Sequence, residues 1–293
     1  MAPAPDPLPR LRRDQPLSVD LHLHSRYSDG SVEPAGLVEM AIAAGLTAVA
    51  LTDHDCFEGI VEARAAAAGK IRFIPGVELS VDWAGSGLHL LAWWVEPDSP
   101  LDLELEEVRQ SRAERNLAMI AALNELGHPV TLEQVMRISE KGVVGRPHLA
   151  QALLELGVVE TEGQAFAEYL ASGKPAYRSR KRLSLQRAVE LVRTSGGVTA
   201  VAHPHTVADN ADEFATAFDK FAALGVTGVE CWYPEYPREQ REAMAKMATR
   251  YGLVPTGGSD YHGTHKPGLE VGTGRGDLVV PDRVLEQLAT RRP

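Results

Sequence analysis

The 293-residue sequence has little cysteine, no long apolar run and no excess of positive charge. Its two cysteines, Cys56 and Cys231, lie far apart, which argues against a disulfide framework and against a cysteine-ligated zinc site. Such sparse cysteine is typical of a reducing cytoplasm. No apolar stretch approaches the roughly 18 residues that cross a bilayer. We therefore expect a soluble cytoplasmic protein that does not act at a membrane.

The net charge of −10 argues against binding to duplex DNA, which favours a basic surface. Basic residues are nevertheless concentrated between Lys174 and Arg193, where seven of them accompany a single acidic residue, Glu190. A local basic patch on an acidic protein suits a small anionic ligand. A solvated loop with basic helix ends would give the same pattern, so the window does not decide between the two.

The order of strand and helix patterns predicts a parallel α/β architecture. Helix patterns such as Glu33–Ala44 and Phe57–Ala68 separate most of the strands, although the third and fourth strands leave no room for one. Seven short apolar runs are predicted to be strands: Leu17–Leu23, Leu46–Thr52, Ile71–Val77, Leu88–Val95, Val198–Ala202, Val226–Cys231 and Leu253–Thr256.

The chain divides into three parts by pattern. Residues 1–16 are rich in Pro and Arg without an apolar core, so we expect a disordered leader rather than a signal peptide. Residues 17–100 and 192–293 carry the predicted strands. Residues 101–191 contain a long charged helix, Asp102–Leu126, and almost no strand pattern, which predicts a helical insertion between the fourth and fifth strands.

Five of the seven predicted strands finish in His, Asp or Glu, and the fourth carries His89. His22 and His24 are two residues apart and so point to the same side of their strand. Catalytic residues of parallel α/β barrels lie at the carboxyl ends of strands. A single histidine at a strand end is more often structural, but the repetition indicates one shared site. Mixed imidazole and carboxylate ligands without thiolates are typical of a catalytic Zn²⁺, Mn²⁺ or Fe²⁺ site.

Six short motifs occur at or shortly after these strand ends: His22-Leu23-His24, followed by Ser28-Asp29-Gly30, then Thr52-Asp53-His54, Gly76-Val77-Glu78, Ala202-His203-Pro204 and Ser259-Asp260-Tyr261-His262. Together they resemble the motifs of the polymerase-and-histidinol-phosphatase (PHP) superfamily, over almost the whole chain. The resemblance implies a distorted (βα)₇ barrel with a helical insertion. It also implies three divalent metal ions, with Mn²⁺ expected and Zn²⁺ or Fe²⁺ as alternatives.

The resemblance also implies which residues hold the metals. The first ion would be held by His22, His24, Glu78 and Asp260. Glu78 would bridge to a second ion on His89 and His203, and the third would be held by Asp29, His54 and His262. Asp53 is expected to orient an imidazole rather than to bind metal directly. His262 or His205 would protonate the leaving group.

The insertion is similar to that of stand-alone PHP proteins, a group that includes nucleoside 3′,5′-bisphosphate phosphatases and 5′–3′ exoribonucleases. The similar segments are residues 144–150 (VGRPHLA) and 173–177 (GKPAY). In such proteins the insertion caps the barrel mouth and supplies cations to the substrate. The resemblance therefore implies that Arg146, His148, Lys174 and Arg178 bind substrate phosphate.

The expected activity is metal-dependent hydrolysis of nucleotide phosphate esters, with a hydroxide that bridges two metals as the nucleophile. Bisphosphate nucleotides and short 5′-phosphorylated single-stranded RNA are the expected substrates, and we expect a monomer. A histidinol-phosphate phosphatase and a non-catalytic metal- or nucleotide-binding regulator remain alternatives. The sequence departs from the resemblance after Pro204, where His205 is either an acid–base group or a polar residue at the barrel rim.

Overall fold

The computed structural model describes residues 18–139, 144–208 and 210–293. The predicted leader, residues 1–16, lies outside the described residues. Among the helices of the described part, none is long and apolar enough to cross a membrane.

One mixed sheet forms the centre of the fold, in the order β1-β2-β3-β4-β6-β7-β8, with β5 paired to β3. The seven predicted strands are all present, and the two-residue β5 was not predicted. Its position inside the predicted insertion hid it, because two residues give no alternating pattern. The strands are β1 (Val19–Asp20), β2 (Ala48–Leu51), β3 (Arg72–Trp83), β4 (Ser86–Trp93), β5 (Leu183–Ser184), β6 (Val198–Val201), β7 (Gly228–Trp232) and β8 (Val254–Gly257).

Strand β4 is antiparallel to both of its neighbours, β3 and β6, whereas the remaining pairs are parallel. The cause is the two-residue link between β3 and β4. Ala84 and Gly85 both have positive φ, 51° and 82°, as a tight hairpin turn of this type requires. The hairpin replaces one helical crossover, so the barrel is distorted, as the sequence predicted.

The residues that follow β1 and β8 close the barrel. The amide of Leu21 donates to the carbonyl of Gly257 at 3.3 Å, and the amide of Asp260 donates to the carbonyl of His22 at 2.9 Å. A Cβ at Gly258 would lie 2.4 Å from the Cβ of His22, so only glycine allows this approach. The two strand ends that carry histidine motifs are therefore tied together.

Helices flank the sheet and fill the insertion. Pro34 lies in the first turn of the first helix, and Gly45, with φ of 75°, follows its end, which is the usual start-and-stop pattern. The helices are α1 (Pro34–Ala43), α2 (Ile60–Ala67), α3 (Pro100–Glu125), α4 (Leu132–Ser139), α5 (Arg146–Glu155), α6 (Glu162–Ala165), α7 (Leu185–Thr194), α8 (Ala211–Ala223), α9 (Arg238–Arg250) and α10 (Arg283–Ala289).

Two of the three hydrophobic cores belong to the barrel. One lies between the sheet and the surrounding helices and includes Phe218 and Phe221. The other fills the barrel interior, where Ile74, Leu91 and Trp93 pack with residues of α10. Because strand residues alternate between the two faces, Glu78, His89 and Glu230 share the interior face with this second core. The inside of the barrel therefore carries these three polar side chains together with the apolar core.

The third core lies within the insertion and extends from Met119 to Ala176, across the second half of α3 and helices α4 to α6. The first part of α3 packs in the barrel core through Leu101 and Val108, and α7 does so through Leu185 and Val192. We call the described residues around this third core, 119–139 and 144–176, the cap, and the two ends of the predicted 101–191 insertion pack with the barrel.

We expect Asp20→Ala to lower the free energy of unfolding by about 2–4 kcal/mol. The buried carboxylate accepts from three backbone amides, those of His22, Ser259 and Gly272. Each amide left unsatisfied costs about 1–3 kcal/mol, partly offset because a buried carboxylate is removed. Urea unfolding followed by circular dichroism would measure the loss. Asp82→Ala, at an exposed strand residue, is the control and should change stability by less than about 0.5 kcal/mol.

Candidate metal centre

The nine predicted metal ligands converge at one end of the barrel. Three overlapping groups have ligand atoms that lie within 4.8 Å of one another: His24, Asp29, His54 and His262; His22, His24 and Asp260; and His54, Glu78 and His89. His203 joins them, since its Nε2 lies 3.0 Å from Glu78 Oε1. The resemblance implied these nine ligands, and most of them follow predicted strands.

Glu78 lies at the centre of the cluster. Its Oε1 is 3.1 Å from His89 Nδ1 and 3.0 Å from His203 Nε2. Its Oε2 lies near three further imidazole nitrogens, those of His22 at 3.1 Å, His24 at 3.0 Å and His54 at 3.4 Å. The two oxygens thus face two different sets of histidines, as the bridging role implied by the resemblance requires.

Two other carboxylates flank the cluster. Asp29 lies 3.2 Å from His262 Nε2 and 3.5 Å from His54 Nε2, and Asp260 Oδ1 lies 3.5 Å from both His22 Nε2 and His262 Nδ1. His203 and Asp260 both have positive φ, 27° and 49°, an uncommon conformation for residues other than glycine. Residues in such sparsely populated backbone conformations cluster at functional sites.

The carboxylates of the cluster favour the ionised form. Burial raises the pKa of Glu78, but the surrounding histidines outweigh it and hold that pKa well below its usual range. The pKa values of Asp29 and Asp260 are lowered in the same way, against the effect of burial. Burial lowers the pKa of His24, His54 and His89, whereas the neighbouring carboxylates, against the effect of burial, raise the pKa of His22, His203 and His262. Ionised carboxylates and neutral imidazoles are the forms that bind metal.

The donor set fits divalent metal ions. Asp29 Oδ1 and the Nδ1 atoms of His54 and His89 are buried but make no hydrogen bond of good geometry. The Nε2 atoms of His22 and His24 lie 3.0 Å apart. Buried polar atoms normally have a partner, and converging unpaired nitrogen and oxygen atoms are typical of a ligand cage. Imidazole with carboxylate, and no thiolate, suits Zn²⁺, Mn²⁺ or Fe²⁺.

Glu230, which the sequence reasoning missed, orients two of the histidines. Its Oε1 lies 3.0 Å from His22 Nδ1, and its Oε2 accepts from the His203 backbone amide at 2.7 Å. A carboxylate on the second nitrogen of an imidazole fixes the tautomer and ring direction of a metal ligand. The sequence feature that could have revealed the role of Glu230 is the presence of a glutamate within the apolar strand β7.

Asp53 does not contact an imidazole, which corrects the prediction made for it. Its Oδ1 accepts from the Ser25 amide at 2.7 Å and from the Ser28 hydroxyl at 2.6 Å, and its Oδ2 accepts from the Ser25 hydroxyl at 2.6 Å. The reason is the chain's tight turn after His24, which places two serines between Asp53 and the histidines. Asp53 therefore fixes the loop that carries Asp29. Burial raises the pKa of Asp53 to about 6.

Two further polar side chains contact Asp260 without having been predicted. The Tyr233 hydroxyl donates to Asp260 Oδ2 at 2.8 Å, and Lys266 forms an ion pair with the same oxygen.

His205 lies at the rim, exposed to solvent, with its Nδ1 3.1 Å from the Tyr236 hydroxyl. Its ring centroid is 5.9 Å from that of His203, so it borders the cluster without joining it.

A cationic cavity of about 270 Å³ opens onto the cluster at Asp29, His54 and His89. We call it the arginine cavity. Its far wall is formed by five guanidinium groups, those of Arg112, Arg115, Arg146, Arg180 and Arg182. Arg112 and Arg115 belong to α3, Arg146 begins α5, and the other two precede β5. The predicted insertion, residues 101–191, thus supplies cations directly beside the predicted metal ligands.

Asp55 is the one carboxylate of the described chain within salt-bridge distance of these arginines. Its Oδ2 pairs with Arg112 and with Arg180, the latter at 3.4 Å. Its Oδ1 accepts from the Ser80 amide at 2.9 Å, which holds it to β3. Asp55 directly follows His54, so a single turn of chain carries both a predicted metal ligand and the anchor of the arginines.

The four predicted phosphate-binding residues fall in different places. Arg146 lines the arginine cavity, with its guanidinium 5.7 Å from the Phe166 ring centroid. His148 is buried and accepts from the Gly145 amide at 3.0 Å. Arg178 donates to the carbonyl groups of Pro175 and Tyr177, and Lys174 is exposed. Neither Lys174 nor Arg178 lines the cavity; Arg180 and Arg182 of the same basic window do.

The PHP domain family matches residues 20–223 of this chain. The chain belongs to this family. Its predicted metal ligands His22 to His203 lie inside the matched range, and Asp260 and His262 lie beyond it. Membership agrees with the distorted barrel and with the cluster of histidines and carboxylates at its mouth, and it makes the protein a metal-dependent phosphoester hydrolase.

Curated relatives and a solved structure resemble the chain over most of its length. It is 34% identical over 258 residues to a 3′,5′-nucleoside bisphosphate phosphatase of Chromobacterium violaceum, which covers 87% of this chain and 90% of that protein. It is 33% identical over 245 residues to a 5′–3′ exoribonuclease of Haemophilus influenzae, covering 83% and 89%. A crystal structure described as a metal-dependent phosphoesterase from Bifidobacterium adolescentis superposes with a TM-score of 0.80 at 30% identity, covering 94% and 98%.

We expect Glu230→Gln to weaken metal binding by about ten- to a hundredfold, the usual effect of losing a carboxylate behind a ligating histidine. The reason is that His22 and the His203 amide both lose their charged partner. Competition with a chromophoric chelator would measure the metal affinity directly. Glu239→Gln, on the exposed face of α9, is the matched control. Equal affinities in Glu230→Gln and the wild type would show that Glu230 does not support the ligands.

Proposed function

We propose that this protein removes the 3′-phosphate from nucleoside 3′,5′-bisphosphates and, at the same site, removes nucleotides from the 5′ end of short RNA. The observation that carries the proposal is the arginine cavity beside the ligand cluster. The names of the relatives support it, since one is a bisphosphate phosphatase and another a 5′–3′ exoribonuclease.

The arginine cavity favours an anion that is not the reacting phosphate. The only described carboxylate in salt-bridge contact with its five guanidinium groups is Asp55. Burial, followed by the neighbouring guanidinium groups, lowers the pKa of Arg115 to about 9 and that of Arg180 to about 10, so both stay charged at neutral pH. Buried like charges without enough partners are costly, and a bound phosphate relieves that cost. A substrate with a second phosphate fits this requirement.

One binding mode serves both reactions. A terminal 5′-phosphate lies in the arginine cavity, and the phosphorus attached to the 3′-oxygen of the same nucleotide lies at the ligand cluster. The oxygen of a water molecule forms the new bond to phosphorus, and the bond between phosphorus and the 3′-oxygen breaks. The 3′-oxygen then receives a proton. A bisphosphate then yields the 5′-mononucleotide and phosphate, whereas RNA yields a 5′-mononucleotide and a shortened chain that keeps its 5′-phosphate.

We propose that the site binds three divalent metal ions through the ligand sets that the resemblance implies. Mn²⁺ is the expected metal, and Zn²⁺ and Fe²⁺ are the alternatives. When bound, they lower the pKa of the attacking water and neutralise the phosphoryl oxygens. The leaving 3′-oxygen takes its proton from His205, because His262 is itself a proposed ligand. The Tyr236 hydroxyl beside Nδ1 fixes the ring of His205, and its exposed position allows reprotonation from solvent.

Removal of the metal should abolish hydrolysis. Excess chelator, with metal analysis to confirm an empty site, should bring phosphate release from adenosine 3′,5′-bisphosphate to background. Mn²⁺ should restore the activity at least as well as Mg²⁺, which prefers oxygen ligands and retains its waters, because six of the nine donors are imidazoles. Full activity of the metal-free protein would contradict the assignment. 5′-AMP and histidinol phosphate belong in the same substrate panel.

Arg146→Ala should lower kcat/KM for the bisphosphate much more than for p-nitrophenyl phosphate, which has no second anion. A lost charge-assisted contact is worth about 1.5–3 kcal/mol, so the selective loss should be about ten- to a hundredfold. Arg193→Ala, at an exposed position of α7, is the matched control. Equal losses on the two substrates would place Arg146 at the reacting phosphate, and no loss on either would remove it from the substrate site.

A further inference from the structure

A second, wider space also meets the ligand cluster. It has a volume of about 800 Å³ and is bounded by α4 and α5 of the cap and by the segment that follows β8. We call it the outer cleft. Asp29 lines both the arginine cavity and the outer cleft, and His262 lines the outer cleft as well. The predicted metal ligands therefore lie where the two spaces meet.

The two spaces differ in size and in charge. The arginine cavity, at about 270 Å³, lies near the lower end of the range for small-molecule sites and suits one mononucleotide. The outer cleft is about three times larger and has opposite charges in its wall, with Arg137 paired to Glu155 at 2.7 Å and Glu162 nearby. It is therefore not a second phosphate trap of the same kind.

We propose that the outer cleft holds the part of an RNA substrate that lies downstream of the cleaved phosphate. The inference rests on the proposed function, which places the first nucleotide between the arginine cavity and the ligand cluster. In RNA the cleaved phosphate carries a second ester bond, to the 5′-oxygen of the next nucleotide. That oxygen and the chain beyond it extend away from the first nucleotide, and the outer cleft is a second space that meets the ligand cluster.

A bisphosphate has no group in this position, so the outer cleft separates the two activities. In the bisphosphate the same phosphorus carries three oxygens that are not esterified, and these remain at the ligand cluster. The breaking bond and the proton transfer are the same for both substrates. Changes in the outer cleft should therefore alter hydrolysis of RNA relative to hydrolysis of the bisphosphate.

The lining of the outer cleft also limits the kind of RNA that it accepts. Its only rings among the described residues are the imidazoles of three histidines, and it has no Phe, Tyr or Trp, the larger aromatic surfaces on which a stacked base gains about 1–3 kcal/mol. Its two strong cations are already paired, Arg137 with Glu155 and Lys266 with Asp260. We therefore expect little preference among downstream bases and no gain in affinity beyond one or two downstream nucleotides.

Gln151→Trp is the test, because Gln151 on α5 lines the outer cleft but neither the arginine cavity nor the ligand cluster. The larger side chain should narrow the cleft. We expect the ratio of kcat/KM for a 5′-phosphorylated trinucleotide to kcat/KM for adenosine 3′,5′-bisphosphate to fall at least tenfold. Gln110→Trp, on an exposed part of α3, introduces the same side chain outside these cavities and should leave the ratio within twofold of wild type.

Two outcomes would overturn the inference. An unchanged ratio in Gln151→Trp would show that the downstream chain leaves by another route. An equal loss on both substrates would show that the outer cleft shapes the site that they share. Glu162→Lys is an independent test for which we expect the opposite change. Removing a negative charge from the wall of the outer cleft should raise the ratio of the two kcat/KM values. An unchanged or lower ratio would count against RNA in the cleft.

A binding measurement separates this inference from the proposed function. Fluorescence anisotropy of a 3′-labelled, 5′-phosphorylated trinucleotide, in chelator, reports binding without hydrolysis. The Kd of the unlabelled trinucleotide, measured by competition with the labelled one, should rise at least fivefold in Gln151→Trp. The Kd of adenosine 3′,5′-bisphosphate should rise by less than twofold. Equal affinities of wild type and Gln151→Trp for the trinucleotide would reject the cleft as an RNA site even if the wild type hydrolyses RNA. A wild type that hydrolyses neither substrate would instead reject the proposed function.

Discussion

The buried carboxylate of Glu78 is the constraint around which the barrel mouth is organised. Only 1% of the residue is exposed, and five imidazole nitrogens lie within 3.4 Å of its two oxygens. An isolated charge at such a depth would be costly, so the surrounding groups must be held close and in fixed directions. The pairing of β3 with β4 supplies part of this order, because Ser80 lies opposite His89 and Glu78 two residues before it. The distortion of the barrel at the β3–β4 hairpin is thus what brings His89 to Glu78.

Three further buried carboxylates hold the segments around the cluster in place. Glu230 fixes His22 and the backbone of His203, Asp20 binds the backbone amides after β1 and β8, and Asp53 holds the loop that carries Asp29. None of these three carboxylates reaches the centre of the cluster, yet each is buried. Their shared effect is that the ligand positions are set before any metal binds, which lowers the entropy lost on binding.

The strand-end ligands were predictable from the sequence because strand periodicity and strand ends are local properties. The arginine cavity was only partly predictable. Arg112 and Arg115 are three residues apart and so share a face of α3, but the direction in which that face points depends on how the cap docks on the barrel. The basic window after Lys174 was recognised as a patch, yet which of its residues turn inward depends on the pairing of β5 with β3. The partners of Asp53 and Glu230 depend on tertiary contacts in the same way.

The charge distribution of the protein favours the end of an RNA chain over its middle. The protein as a whole carries −10, whereas five of its arginines are gathered in one cavity. At physiological ionic strength a charge is screened beyond about 8 Å, so a phosphate feels the arginines only when it enters the cavity. Outside it, each further phosphate of a long chain meets an acidic surface. A cavity of about 270 Å³ has room for about one terminal nucleotide. The electrostatic gain is thus confined to a 5′-phosphate at a chain end, and it does not grow with chain length. The same separation of charge fits the proposed action of one site on a bisphosphate mononucleotide and on short RNA, because both present the same terminal group and the remainder of either substrate adds little.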